Sequence, residues 1–140
     1  MRPGLLPYQL HRRLCQARDL VRARALGPLT LHDVAREAQL SPAHFLKVFQ
    51  RAFGETPHQY RTRLRLERAK ALLAKSDLPV TEVCLEVGYQ SLGSFSSLFA
   101  AHVGQAPSAW RRAMRPQVQV PRAWARLTIP CCFQGLYFPA

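Results

Sequence analysis

The sequence predicts an all-α protein of about seven helices, in which two helix-turn-helix units are joined by a long linker helix in a homeodomain-like arrangement. Two observations predict this class. Apolar residues recur at the spacing of one helix face, and the segment FLKVFQRAFGETPHQYR (45–61) returns 50 residues later as FSSLFAAHVGQAPSAWR (95–111). The predicted parts are an N-terminal helix with the first helix-turn-helix (1–56), the linker helix (57–75), the second helix-turn-helix (76–114) and a proline-containing apolar tail (115–140).

The first unit contains two short helices after an N-terminal helix over roughly residues 8–25. Thr30 and Asp33 have the spacing of a capping box, and the apolar residues that follow predict a helix over 31–38. The sequence QLSP then provides a turn, a capping serine and a proline suited to the first helical position. A second helix over 42–53 is therefore predicted.

The linker helix and the second unit follow the same logic. A helix over 57–75 has 19 residues, which is a length of about 28 Å at 1.5 Å per residue. Pro79 begins the first helix of the second unit, and Gly88 is suited to the left-handed position that ends it. Helices over 91–103 and 107–114 complete the prediction.

The charge pattern indicates a polyanionic partner, with nucleic acid favoured over a membrane surface. The net charge is +12, and it is unevenly distributed: residues 1–29, 30–75 and 111–140 each carry +5, whereas residues 76–110 carry −3 and contain no Lys or Arg. No apolar run approaches the ~20 residues of a membrane span, and the N-terminus does not resemble a secretory signal. The four cysteines lack metal or disulfide spacing. We therefore expect a cytoplasmic, nucleoid-associated protein.

The second helix of a helix-turn-helix enters the DNA major groove, so its outward face is the candidate site. In the first unit Lys47 can donate to guanine and Gln50 can pair with adenine, whereas the second unit offers only small or apolar groups and serine hydroxyls. We expect the first unit to dominate base recognition. The candidate DNA-binding residues are Ser41, Ala43, His44, Leu46, Lys47, Gln50 and Arg51 in the first unit, and Ser91, Leu92, Gly93, Ser96 and Ser97 in the second.

Arginines outside these helices are candidates for phosphate contact. Arg61, Arg65 and Arg68 form one stripe of the linker helix, for which phosphate contact and a solvated face are equally supported. Arg111 and Arg112, near the start of the last helix, are favoured as phosphate contacts. Arg61 and Arg111 are included among the candidate DNA-binding residues.

The segments LTLHDVAREAQLSPAHFLKVFQRAFGETPHQYRTRLRLERAKALL and LPVTEVCLEVGYQSLGSFSSLFAAHVGQAPSAWRR resemble the DNA-binding domain of AraC/XylS-type bacterial transcription regulators. The resemblance covers about residues 10–113 and includes two G-x-x-P-x-x-[YW]-R endings. It implies two recognition helices in adjacent major grooves. The base-reading positions that it implies are Ala43, His44, Leu46 and Lys47, and Leu92, Gly93, Ser96 and Ser97.

The chain departs from this family at two places. The family usually has glycine where this chain has Gln39, and a left-handed glutamine would cost about 1 kcal/mol. Ser97, Ala100 and Ala101 replace the family's basic residues late in the second recognition helix. With 140 residues, the chain resembles the short, stand-alone members of the family.

The leading hypothesis is a non-enzymatic, sequence-specific regulator of transcription that binds double-stranded DNA as a monomer or weak dimer, with RNA polymerase as a further candidate partner. The alternative is a nonspecific or architectural DNA-binding protein. The uncharged outward face of the second recognition helix, with its short side chains, favours this alternative. The sequence contains no paired carboxylates, nucleophile–base pattern or metal set, so we expect no catalytic residue, cofactor or metal site. For residues 115–140, docking onto the helices, contact with a partner and disorder remain open.

Overall fold

The computed structural model describes residues 7–115, which form seven α-helices and no strand. The all-α class is confirmed, and the helix ends lie within about two residues of those predicted. The tail lies outside the described residues except for Arg115. The helices are α1 (Tyr8–Ala23), α2 (Leu31–Glu37), α3 (Pro42–Phe53), α4 (Pro57–Lys75), α5 (Val80–Glu86), α6 (Leu92–Val103) and α7 (Pro107–Met114).

Reciprocal capping fixes where α2 and α4 begin. The Thr30 hydroxyl accepts a hydrogen bond from the Asp33 backbone N–H at 3.2 Å, and the Asp33 carboxylate accepts one from the Thr30 N–H at 3.1 Å. Thr56 and Gln59 make the same pair of contacts at the start of α4, at 3.2 and 2.9 Å. The hydrogen bonds from Thr30 hold the pKa of Asp33 below its ordinary value. Both boxes satisfy N–H groups that the first helical turn leaves unpaired.

The predicted duplication is visible in the packing of aromatic rings. In the first unit (α1 to α3) the ring centroids of Phe45 and Phe49 lie 5.3 Å apart, and Phe49 packs on Tyr60 of α4 at 6.3 Å. In the second unit (α5 to α7) Phe95 packs on Phe99 at 5.7 Å, and Phe99 packs on Trp110 at 6.4 Å. Each recognition helix is therefore held on its own hydrophobic core by an equivalent aromatic row.

The linker helix α4 contributes to both cores. Tyr60, near its N-terminus, lies in the first core, and Leu66, Ala69 and Leu73, further along, lie in the second. The buried residues of the two cores form separate clusters that have no member in common. The two units thus have separate hydrophobic cores built on one 19-residue helix.

The turn between the two helices of each unit requires a left-handed residue. Gln39 has φ 56° and is the one non-glycine residue with positive φ between residues 7 and 115; the equivalent position in the second unit is Gly88, with φ 84°. The left-handed glutamine expected from the sequence is therefore present. Gln39 is exposed, so its side chain extends into solvent while its backbone bears the strain.

We expect Gln39→Gly to raise the free energy of unfolding by about 0.5–1 kcal/mol, because relief of left-handed strain exceeds the entropy that glycine loses on folding. Urea unfolding followed by circular dichroism measures the change. Gln16→Gly is the matched control, because Gln16 is an exposed residue inside α1 and its replacement should cost about 1 kcal/mol. Equal losses at both positions would contradict strain at Gln39.

Within residues 7–115, no helix combines the length and the apolar character that a membrane span needs.

Candidate nucleic-acid interface

The N-terminus of α3 is set by a serine and a proline, as the sequence predicts. The Ser41 hydroxyl accepts a hydrogen bond from the His44 backbone N–H at 3.3 Å, and Pro42 occupies the first turn. Gly54, with φ 78°, ends the helix in a left-handed conformation. These contacts set the length and register of α3, and hence which side chains lie opposite the buried Phe45 and Phe49.

The outward face of α3 brings together most of the residues predicted for the first unit. Ala43, His44, Lys47, Gln50 and Arg51 are all exposed on this helix. Within the described part of the chain no acidic side chain forms an ion pair with Lys47 or Arg51. The face therefore combines free cationic donors with an amide that can both donate and accept.

Leu46 differs from its neighbours on α3. It is half-buried and lines a cavity of about 150 Å³ between the first unit and the start of α4. His58 and Arg61 line the same cavity, whose other walls are mainly apolar. Leu46 therefore has a packing role in addition to any contact with a thymine methyl group.

The outward face of α6 is exposed but uncharged. The Ser91 hydroxyl caps this helix by accepting from the Ser94 N–H at 3.3 Å. Leu92, which is 42% exposed, and Gly93 and Ser97 face solvent, whereas Ser96 is half-buried. A Cβ added at Gly93 would meet only the Ser91 hydroxyl, at 3.9 Å. Packing therefore does not require this glycine, and its absent side chain leaves the helix backbone open to close approach.

The phosphate contacts predicted for Arg61 and Arg111 are not supported by their surroundings. The half-buried Arg61 guanidinium donates to the carbonyl oxygens of Ala25 and Leu29, each at 3.1 Å, and to that of Gly27. Partial burial, together with the nearby charge of Arg65, lowers the pKa of Arg61 below its ordinary value. These donors are occupied by the loop that precedes α2, which gives Arg61 a structural role.

Arg111 occupies the equivalent position in the second unit and makes the equivalent contact. Its guanidinium donates to the carbonyl of Leu78, which lies just before α5, as Leu29 lies just before α2. Arg112 is exposed. The arginine of each G-x-x-P-x-x-[YW]-R motif therefore closes the loop in front of its own helix-turn-helix. The exact repetition of this residue is a sequence signal for a role in the fold.

The predicted arginine stripe of α4 is divided between two environments. Arg65 is half-buried and donates to the carbonyl oxygens of Ala25, at 2.6 Å, and Gly88, at 3.3 Å. Arg68 is exposed. The helical spacing predicts a phosphate contact or a solvated position for Arg65, whereas the structure gives it a third role as a contact between the two units.

The cysteines of the described region offer no catalytic arrangement. Cys84 is buried, its thiol lies 3.6 Å from the Tyr89 carbonyl oxygen, and burial raises the pKa of this thiol. The Cys15 Sγ lies 3.6 Å from His11 Nε2. Among residues 7–115 no group of three or more His, Cys, Asp or Glu residues could hold a metal ion. Cys131 and Cys132 lie outside the described residues.

A family model described as a helix-turn-helix domain matches residues 34–113. The chain is 32% identical over 91 residues to the melibiose operon regulatory protein of Escherichia coli K12, covering 65% of this chain and 30% of that protein. It is 38% identical over 87 residues to the MmsAB operon regulatory protein of Pseudomonas aeruginosa, covering 62% and 28%. The chain thus spans less than a third of the length of these relatives.

Several solved structures have the same fold. A probable AraC family transcriptional regulator from Rhodopseudomonas palustris matches with a TM-score of 0.68 at 27% identity, covering 75% of this chain and 99% of that one. The DNA-binding domain of AdpA, solved in complex with a target DNA, matches with a TM-score of 0.68 at 28% identity, covering 75% and 97%.

Proposed function

The chain belongs to the AraC/XylS family of helix-turn-helix DNA-binding domains, and from that premise we propose that it is a sequence-specific, double-stranded DNA-binding regulator of transcription. The observation that carries the proposal is the pair of serine-capped helices, α3 and α6, each held on its own core with its outward face exposed. The similarity to the AdpA domain, a protein solved on its target DNA, supports it.

The two recognition helices contribute unequally in this proposal. Lys47 and Gln50 on α3 can form hydrogen bonds with base edges, and Arg51 adds charge. On α6 the short side chains and Gly93 favour contacts through backbone N–H groups and serine hydroxyls, which mainly position a protein on DNA and leave few groups for reading base edges. The first unit therefore supplies most of the specificity, and the second supplies orientation and a weaker reading of its own DNA segment.

A nonspecific or architectural DNA-binding role is the alternative, and the uncharged face of α6 is the observation that favours it. A direct test selects bound duplexes from a random-sequence pool and then titrates a selected duplex and its scrambled version at one salt concentration. We expect the selected duplex to bind at least about a thousandfold more tightly, as specific sites generally do. Equal affinities would favour the alternative.

We expect Lys47→Ala to weaken binding to the selected duplex by about tenfold or more and to relax the preference at one base pair, because a lysine–guanine contact is lost. Ser97→Ala should change affinity by less than about threefold, because a single exposed hydroxyl contributes little. Fluorescence anisotropy titrations measure both variants. Similar losses from the two substitutions would contradict the unequal division between the units.

We also propose that the protein is non-enzymatic, acts in the cytoplasm at the nucleoid and has RNA polymerase as a second partner. A monomer or weak dimer suffices, because one chain already carries two recognition helices. Membership of a family of transcriptional regulators supports these statements. Sedimentation velocity in the presence of the selected duplex measures how many chains bind each site.

A further inference from the structure

A small set of contacts connects the first unit directly to the second across the middle of α4. We call it the inter-unit seam, and it consists of Ala25, Leu26, Arg65, Gly88 and Tyr89. Arg65 is its centre: its Nε donates to the Ala25 carbonyl at 2.6 Å and its Nη1 donates to the Gly88 carbonyl at 3.3 Å. Its guanidinium carbon also lies 5.4 Å from the centre of the Tyr89 ring.

These contacts join different parts of the chain. Ala25 and Leu26 belong to the loop between α1 and α2, in the first unit, whereas Gly88 and Tyr89 form the turn between α5 and α6, in the second. Because the two hydrophobic cores share no buried residue, the seam is a connection between the units in addition to α4 itself. If α4 were the only connection, bending of this helix would change the orientation of one unit relative to the other. The seam is a second connection, and it opposes such a change.

The close fit at Gly88 shows that the seam is tightly packed. A Cβ added there would lie 2.7 Å from the Leu26 carbonyl oxygen and 3.0 Å from Arg65 Nη2. At the equivalent turn of the first unit, the left-handed residue is the exposed Gln39, which has room for a side chain. Glycine at position 88 is therefore favoured by its φ of 84° and required by the approach of the first unit's loop.

We propose that Arg65 is a positioning residue that fixes the orientation of α6 relative to α3, and thereby selects the spacing between the two segments of DNA that the protein recognises. This inference rests on the proposed function. Adding one base pair between two half-sites separates them by about 3.4 Å and rotates them by about 35°. A protein with a fixed seam rejects such a change, whereas one joined by α4 alone adapts to it.

The orientation itself can be measured without DNA. Residual dipolar couplings report whether two parts of a protein share one alignment tensor. We expect residues 31–53 and 80–103 to share one tensor in the wild-type protein and to give different tensors in Arg65→Ala. Arg68→Ala is the matched control, because Arg68 is an exposed arginine of the same helix. A common tensor in Arg65→Ala would overturn the proposal.

The consequence for DNA is tested with duplexes selected by the wild-type protein and altered by one inserted or deleted base pair between the two recognised segments. For each protein we compare the altered duplex with the unaltered one. We expect the wild-type protein and Arg68→Ala to bind the altered duplex about tenfold or more weakly, and Arg65→Ala to bind it no more than about threefold more weakly. Arg65→Lys keeps the charge but not the forked donors that reach two carbonyls, so it should also discriminate poorly, and it replaces the alanine variant if that does not fold.

The outcomes separate this inference from the proposed function. If the wild-type protein selects no preferred sequence, the proposed function fails. The residual dipolar couplings then remain as the test of whether Arg65 fixes the relative orientation of the two units. If the wild-type protein discriminates spacing and the Arg65 variants discriminate equally well, the inference is wrong although the function stands. Loss of spacing discrimination in the Arg65 variants alone supports it.

Discussion

Replacing Gly88 with alanine is expected to lower the free energy of unfolding by about 3 kcal/mol or more. Two costs combine. The left-handed φ of 84° strains any residue with a Cβ, and that Cβ would lie 2.7 Å from the Leu26 carbonyl oxygen, a backbone atom that cannot rotate away. Chemical denaturation of the full chain measures the loss.

Gly104→Ala separates the two costs. Gly104 has nearly the same φ, 87°, but a Cβ added there would meet nothing within 4 Å. We expect this control to lose only the strain, about 1–2 kcal/mol. The difference between the two variants therefore measures crowding at the seam. If Gly88→Ala and Gly104→Ala are equally destabilised, the loop of the first unit does not press on the second.

The second large effect is expected for Arg61→Ala, which should lower the free energy of unfolding by about 2–3 kcal/mol. The substitution removes a half-buried guanidinium that donates to the carbonyls of Ala25, Gly27 and Leu29, and it leaves those acceptors without a charged donor. Urea unfolding measures this loss. The loop in front of α2 should also become more accessible to limited proteolysis.

Arg63→Ala is the matched control for Arg61. Arg63 lies two residues further along α4 and makes an exposed ion pair with Glu55 at 2.6 Å, so its removal should cost less than about 1 kcal/mol. A phosphate-contacting arginine would behave differently from the structural role assigned to Arg61. Its removal would leave the free energy of unfolding unchanged. It would reduce the slope of log binding constant against log salt concentration by about one unit, because one phosphate contact is lost. That result for Arg61→Ala would overturn the assignment.

Most of the fold could be predicted from the sequence because its determinants are local. Helix ends and turns are set by residues next to them: the capping serines, the prolines of the first turns and the left-handed Gln39. Equivalent signals accompany both copies of the repeat, at 45–61 and 95–111. For the same reason the exposed faces of α3 and α6 were predictable: helical periodicity, together with the buried phenylalanines, determines which residues point outward.

The roles of the α4 arginines could not be predicted because they depend on distant parts of the chain. Arg61 contacts carbonyls 32 to 36 residues earlier, and Arg65 contacts one carbonyl 40 residues earlier and another 23 residues later. Helical spacing placed Arg61, Arg65 and Arg68 on one stripe, but it does not show which part of that stripe a loop covers. Backbone carbonyls of an irregular loop leave no pattern in the sequence that identifies their donor.

Protection of guanine N7 from dimethyl sulfate tests most directly whether the two recognition helices joined by α4 both contact DNA, and do so unequally. This atom faces the major groove, so a helix lying there shields it. On a selected duplex we expect two protected segments with centres about 10 base pairs apart on one side of the helix. Lys47→Ala should weaken protection in one segment far more than Ser97→Ala weakens it in the other. A single protected segment, or two segments on opposite sides of the duplex, would contradict the account.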